Sequence, residues 1–228
     1  MLLAAGRGER MRPLTLSTPK PLLTVGGRAL VDWHIERLVA AGFRDMVMNV
    51  SWLGEQIRAH CGDGSRWQAR IRYSLEDEPL ETAGGIVQAL PMLGSAPFLV
   101  VNADIHTAYP FGALLARTPP AAGQARLVLV PNPSHNARGD FSLRADRVVA
   151  RGEQSLTYAG IGVYHPEFFA GCAPGRRPLL PLLERAIVEE RLFGECYTGA
   201  WTDVGTPERL RALNETAATT TAGSEDDD

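Results

Sequence analysis

Glycine, arginine, lysine and aspartate recur in this chain at spacings that suit phosphate chemistry. The segment Ala4-Ala5-Gly6-Arg7-Gly8-Glu9-Arg10-Met11-Arg12-Pro13 directly follows a short apolar run. Two glycines let a backbone turn sharply and bring its N–H groups against a polyphosphate, while Arg10 or Arg12 supplies fixed positive charge. The pattern is not the dinucleotide fingerprint, which needs a third spaced glycine, nor the P-loop, which needs Gly-Lys-Ser/Thr. Taken alone, it also fits a plain strand-to-helix turn with solvated arginines. Farther on, Thr18-Pro19-Lys20-Pro21-Leu22 sets a lysine between prolines that hold the chain extended, so its ammonium is presented at low entropic cost. Such a lysine can meet an α-phosphate.

Chemistry on a triphosphate calls for a hard divalent cation and for oxygen ligands to hold it. Asp104 ends the run Phe98-Leu99-Val100-Val101-Asn102-Ala103-Asp104, so it should project from the carboxyl end of a central strand, where open α/β sheets place their ligands. Asp203, in Trp201-Thr202-Asp203-Val204-Gly205-Thr206-Pro207, falls between a late strand and a closing helix. Each acid taken singly also reads as a turn former or a loop carboxylate near a helix start. Glu81-Thr82-Ala83-Gly84-Gly85 opens another helix; Gly84 permits a close approach there, and Thr82 fits an ordinary cap equally well.

These residues need elements to position them. Apolar runs bounded by turn residues alternate with helical periodicity, the pattern of a mostly parallel sheet covered by helices. Strands are expected over Leu2–Ala5, Asp45–Val50, Arg70–Glu76, Phe98–Asn102, Ala125–Pro131, Tyr158–Tyr164 and near Ala200–Val204, with a hairpin over Phe141–Ala150. Helices are expected over Ala29–Ala41, stopped by Gly42, and over Thr82–Leu93, Pro178–Leu192 and Pro207–Thr216. The first strand looks short before its glycine turn, as though the chain were trimmed at its start. One domain over residues 1–216 is expected, followed by a small, polar, acidic and disordered tail over 217–228.

Gly-x-Gly-x-Arg-Met-x-Pro-Leu-Thr together with Pro-Lys-Pro-Leu resembles the signature of the sugar-1-phosphate nucleotidyltransferases, over about residues 1 to 216. The resemblance implies a three-layer, Rossmann-like α/β fold with a mixed, mostly parallel central sheet. It implies that Arg10 and Lys20 hold the triphosphate, that Ala4, Ala5, Gly6, Arg7 and Gly8 run against the nucleotide, and that Gly84 and Asn102 help line its site. Asp104 and Asp203 match the family's Mg²⁺ ligands, which makes Arg10, Lys20 and Asp104 the catalytic set. On the sugar side the matching residues are Gly139, Asp140 and Glu153. Three departures stand out: Glu9 replaces a common threonine, Ala103 replaces glycine, and Glu153-Gln154-Ser155 replaces Glu-Lys-Pro, so the usual sugar-phosphate lysine is absent. Arg138, Arg147 and Arg151 are candidates to supply its charge.

Within that family the short form resembles the branch that joins UTP to N-acetylmuramic acid 1-phosphate in peptidoglycan recycling. Transfer of guanylyl to mannose 1-phosphate, or of thymidylyl or uridylyl to glucose 1-phosphate, is the alternative within the class; a nucleotide-binding regulatory subunit without turnover is the alternative outside it. Missing oligomerisation segments imply a monomer.

Composition agrees with a small-molecule enzyme. The 228 residues are 45% hydrophobic and 21% charged, enough for a sizeable core, and a net charge of −3 offers no broad surface for nucleic acid. Cys61, Cys172 and Cys196 match neither a disulfide framework nor paired zinc ligands. The opening has too short an apolar run for a signal peptide, and no run of about 18 apolar residues occurs, so a cytoplasmic protein without a membrane partner is expected. His34, His60, His106, His135 and His165 are not expected to act as bases.

Overall fold

The structure, a computed structural model, describes residues 1–222. In chain order it comprises β1 (Leu2–Leu3), a loop of three 3-10 turns, β2 (Thr24–Val25), β3 (Arg28–Ala29), α1 (Leu30–Ala40), β4 (Asp45–Val50), α2 (Gly54–Cys61), β5 (Arg70–Leu75) and α3 (Glu81–Leu93). There follow β6 (Phe98–Asn102), β7 (Ile105–Thr107), α4 (Gly112–Leu115), β8 (Ala125–Val130), β9 (Phe141–Arg144), β10 (Arg147–Ala150) and β11 (Ser155–Tyr164). The chain closes with α5 (Leu180–Val188), β12 (Leu192–Cys196), β13 (Trp201–Asp203) and α6 (Pro207–Ala222).

A mixed nine-stranded sheet runs β5-β4-β1-β6-β11-β8-β12-β10-β9. Parallel pairing joins β5, β4, β1 and β6 and recurs between β8 and β12; the remaining pairs are antiparallel. Side chains alternate across this sheet, as a pleat demands. Leu99, Val101, Val128 and Val130 pack on one face with Val31, Ile35 and Leu38 of α1 and Ile57 of α2. Phe98, Val100, Leu127 and Leu129 pack on the other with Ala83 and Ile86 of α3 and Leu183 and Ala186 of α5. Three layers follow from that alternation. A smaller core of Met11, Leu23, Val25, Leu30 and Val204 ties the glycine loop to α6 through Leu210 and Leu213.

The chain steps outward from β1 through β4 to β5 and then returns to place β6 on the other side of β1. That reversal opens a crevice at the carboxyl ends of β1, β4, β5 and β6, where open α/β sheets bind ligands. No helix among the described residues is long and apolar enough to cross a membrane.

Several boundaries differ from expectation. β1 stops at Leu3 because the Ala4 N–H leaves the ladder and donates to Asn49 Oδ1 at 2.9 Å. α5 ends at Val188 and not Leu192: Glu190 turns left-handed at φ +54°, releasing Leu192–Cys196 to pair in parallel with β8. α2 was not foreseen, since only Ile57 and Cys61 of its eight residues are buried side chains with apolar character. The late strand at Trp201–Asp203 pairs with β7 in a separate ribbon outside the main sheet. α6 continues past Thr216 to Ala222, so the expected disordered tail begins inside a helix; residues 223–228 lie outside the described residues.

Candidate active site

The glycine loop is fixed from beneath. Gly8 adopts φ +63°, and a Cβ there would lie 2.9 Å from Thr15 Cγ2. The Gly8 carbonyl accepts from the Thr15 hydroxyl at 2.7 Å and from the Met11 N–H at 2.8 Å, while Met11 is fully buried as the loop's anchor. A Cβ at Gly6 would meet nothing within 4 Å, so that face of the loop is open. The loop borders a cleft of about 400 Å³ lined by Ala4, Ala5, Gly6, Gly8, Arg10, Lys20, Asn102 and Asp104 among others. Arg7 is exposed and does not line it.

Lys20 begins a 3-10 turn closed by the Leu23 N–H on the Lys20 carbonyl, and its side chain is buried. The ammonium donates to Asp104 Oδ2 at 2.6 Å. Asp104 and Asp203, 99 positions apart by their numbers, are brought together by the β7–β13 ribbon: Asp203 pairs with Ile105, and the Val204 N–H donates to the Asp104 carbonyl at 2.9 Å. Both acids and Arg10 line one groove. Asp203 Oδ2 also accepts from Arg209 at 2.8 Å, with His135 Nε2 at 3.4 Å. Among the described residues no three His, Cys, Asp or Glu side chains cluster as a metal cage. Two carboxylates fit Mg²⁺, which takes few protein ligands and completes its shell with water and phosphate oxygens.

A buried polar chain that sequence reasoning missed shapes the inner cleft. Asn49 accepts from the Ala4 N–H and donates to Glu76 Oε1 at 2.7 Å, and Glu76 Oε2 accepts from the Leu80 N–H at 2.8 Å. Asn49 and Glu76 are 3% and 5% exposed, so every one of these bonds is needed to offset their desolvation. Their signal was present: one asparagine inside the apolar run of β4, and an acid just past β5. Gly85 is constrained by this chain, because a Cβ at 85 would lie 2.6 Å from Glu76 Oε1. Gly84 faces away from the cleft, donating its N–H to the Arg177 carbonyl at 3.1 Å and lying where a Cβ would sit 2.4 Å from the Gly175 carbonyl oxygen.

A second cleft of about 830 Å³ adjoins the first, lined by Asn102, Gly139, Asp140, Arg151, Tyr158 and the face of α5. Asp140 accepts from the Tyr158 N–H at 2.8 Å and from Asn136 Nδ2 at 3.1 Å, and Gly139 supplies the left-handed turn before it. Asp140, Asn102 and Tyr158 also border the two-acid groove. Glu153 is exposed and lines neither cleft nor groove. Of the three arginines considered, Arg151 reaches the cleft, whereas Arg147 is bound to the Glu190 carbonyl at 2.6 Å and Arg138 lines none. Arg209 had no local motif to mark it.

A family model described as nucleotidyl transferase matches residues 1–140, the segment holding the loop, Lys20, Asn49, Glu76 and Asp104. The chain belongs to the nucleotidyl transferase family. An N-acetylmuramate alpha-1-phosphate uridylyltransferase of Neisseria meningitidis serogroup B is 50% identical, covering 92% of this chain and 94% of its own. Another protein of the same name, from Caulobacter vibrioides, is 36% identical, covering 91% of this chain and 92% of its own. In fold, this nucleotidyl transferase is similar to a Bacillus anthracis structure assigned as a glucose-1-phosphate thymidylyltransferase and solved with sucrose. The TM-score is 0.83 at 18% identity, covering 95% of this chain and 93% of that one.

Proposed function

We propose that this nucleotidyl transferase moves a uridylyl group from UTP to N-acetylmuramic acid 1-phosphate, giving UDP-N-acetylmuramic acid and pyrophosphate, in the cytoplasm and as a monomer. One observation supports the reaction type: the loop and Lys20 border a cleft, Asp203 borders a groove, and Arg10, Asn102 and Asp104 line both. The substrate pair is supported by two relatives with that printed activity, each similar along more than nine-tenths of both chains. Such a reaction belongs to the recycling of peptidoglycan sugars.

An oxygen of the sugar phosphate attacks the α-phosphorus in line with the departing pyrophosphate. It is already ionised near pH 7, so no protein base is required and catalysis rests on alignment and charge neutralisation. The Gly6–Gly8 backbone and Arg10 hold the polyphosphate, and Lys20 meets the α-phosphate. Asp104 and Asp203 would hold Mg²⁺, which supplies charge neutralisation to the phosphates when bound. Asn49 and Glu76 hold Ala4 and the start of α3, shaping the nucleotide end. Asp140 is the acceptor for sugar hydroxyls, and Arg151 is the cation available on that side.

Pyrophosphate release measured over a matrix of nucleoside triphosphates and sugar 1-phosphates tests the reading. UTP with N-acetylmuramic acid 1-phosphate should give the highest kcat/KM. A preference for GTP with mannose 1-phosphate, or for glucose 1-phosphate, would overturn the substrate assignment, and UTP binding without any turnover would make the protein a regulatory subunit.

A further inference from the structure

Glu81 stands at the seam between the two clefts: with Thr82 and Asn102 it lines both. Its backbone is left-handed, at φ +60°. The other described non-glycine residues with positive φ are Leu53, Gln68, Ala145 and Glu190, and none of them lines either cleft. A residue with a Cβ is disfavoured in that region and glycine is not, so the backbone alone gives no reason for glutamate here. Strain of this kind persists where surrounding structure over-determines it, and it collects at ligand sites.

The surroundings do over-determine it. The Arg177 N–H donates to the Leu80 carbonyl at 2.8 Å and the Gly84 N–H returns to the Arg177 carbonyl, clamping the first turn of α3. Arg176, next to Arg177 in the segment before α5, holds one carboxylate oxygen, with Nε donating to Oε1 at 2.9 Å and Nη2 at 2.7 Å from it. The hydrogen bonds and ion pairs with Arg176 engage Oε1 alone, on an exposed residue that lines both clefts. A carboxylate there repels phosphate and any other anionic group of the substrates, so its natural counterpart is a neutral donor, a hydroxyl.

We propose that Glu81 is a substrate-contacting residue whose carboxylate accepts a hydrogen bond from a substrate hydroxyl, and that Arg176 positions it. The donor is a ribose hydroxyl of the nucleotide or a ring hydroxyl of the sugar phosphate. The inference rests on the nucleotidyl transferase reading above.

Glu81→Gly, Glu81→Gln and Arg176→Ala, compared with wild type by pyrophosphate release and thermal melting, test it. Glu81→Gly should raise one KM at least tenfold while its Tm stays level or rises, because the backbone strain is released. Glu81→Gln, which keeps an acceptor but loses the charge, should raise the same KM less, as should Arg176→Ala. A change in the UTP KM identifies ribose; a change in the sugar-phosphate KM identifies the sugar. If Glu81→Gly melts several degrees lower and both glutamate variants keep both KM values within twofold, the residue is structural and the proposal fails. Absence of turnover in the wild type would instead sink the reaction assigned above. In that case unchanged equilibrium binding of both UTP and the sugar phosphate by Glu81→Gly would overturn the role of Glu81 separately.

Discussion

Lys20 and Asp104 compensate one another's desolvation across 2.6 Å, the lysine side chain being 9% exposed and the aspartate 38%. Asp104→Asn keeps the shape and a hydrogen-bond acceptor for Lys20 while removing the charge a metal requires. Its kcat should fall by roughly two or more orders of magnitude, while its melting temperature moves by only about 2–4 °C, the shift expected for about 1 kcal/mol at this chain length. Near-normal turnover would refute the metal assignment. Gly160 offers a second test. It adopts φ +74° at the bulge between Tyr158 and Ile161, and a Cβ would lie 2.8 Å from Asn102 Nδ2. Gly160→Ala should destabilise the fold by about 1–3 kcal/mol and raise the KM for both substrates, because Asn102 borders both clefts; an unchanged urea midpoint and unchanged KM values would contradict this.

At the scale of elements, α3 is coupled to β4 and β5 through Gly85, Asn49 and Glu76. Gly85→Ala would press a methyl onto two buried polar groups, at 2.6 Å from Glu76 Oε1 and 2.7 Å from Asn49 Nδ2, whose shift would disturb the bonds that satisfy them. A loss of about 1–3 kcal/mol is expected, together with a raised KM for the nucleotide and a nearly unchanged KM for the sugar phosphate. Equal effects on both KM values would mean that this network does not shape the nucleotide end. The β7–β13 ribbon is the second such device. It has only three registered residue pairs, yet it brings Asp203 beside Asp104, and α6 supplies Arg209 to hold it.

At the scale of the whole molecule, stability should depend on acid and on ligand. His34 is buried in α1, where Nε2 donates to the Ile105 carbonyl at 2.8 Å, and burial pushes its pKa down to about 4 from an ordinary 6.5. The unfolded chain therefore takes up a proton as pH falls below 6.5 that the folded chain refuses until about 4. The stability due to the neutral ring is complete above 6.5 and is lost through that window, on the order of 3 kcal/mol in all. Urea unfolding at pH 7, 5.5 and 4.5 should reveal the slope, and His34→Gln should flatten it; an identical slope in the variant would contradict the assignment. UTP at a hundred times its dissociation constant should stabilise the native state by about 2.7 kcal/mol, raising Tm by roughly 5–10 °C, with most of the rise lost when a chelator removes divalent cations.

The sequence by itself determined what is local. The loop, Lys20 between its prolines, Asp104 at the end of an apolar run and the stripe of α1 could all be read because their physics is carried by near neighbours in the chain. The same holds for the hairpin of β9 and β10, whose register closes around Ala145. Only the tertiary structure decided which of these residues meet. It set Asp203 beside Asp104 through a ribbon outside the main sheet, turned the close approach at Gly84 toward Gly175, and left Arg7 and Glu153 outside the clefts. It also joined Asn49 to Glu76 and recruited Arg209, which no motif marked. Those outcomes depend on strand order and on contacts between different elements of the fold, and neither periodicity nor spacing encodes them.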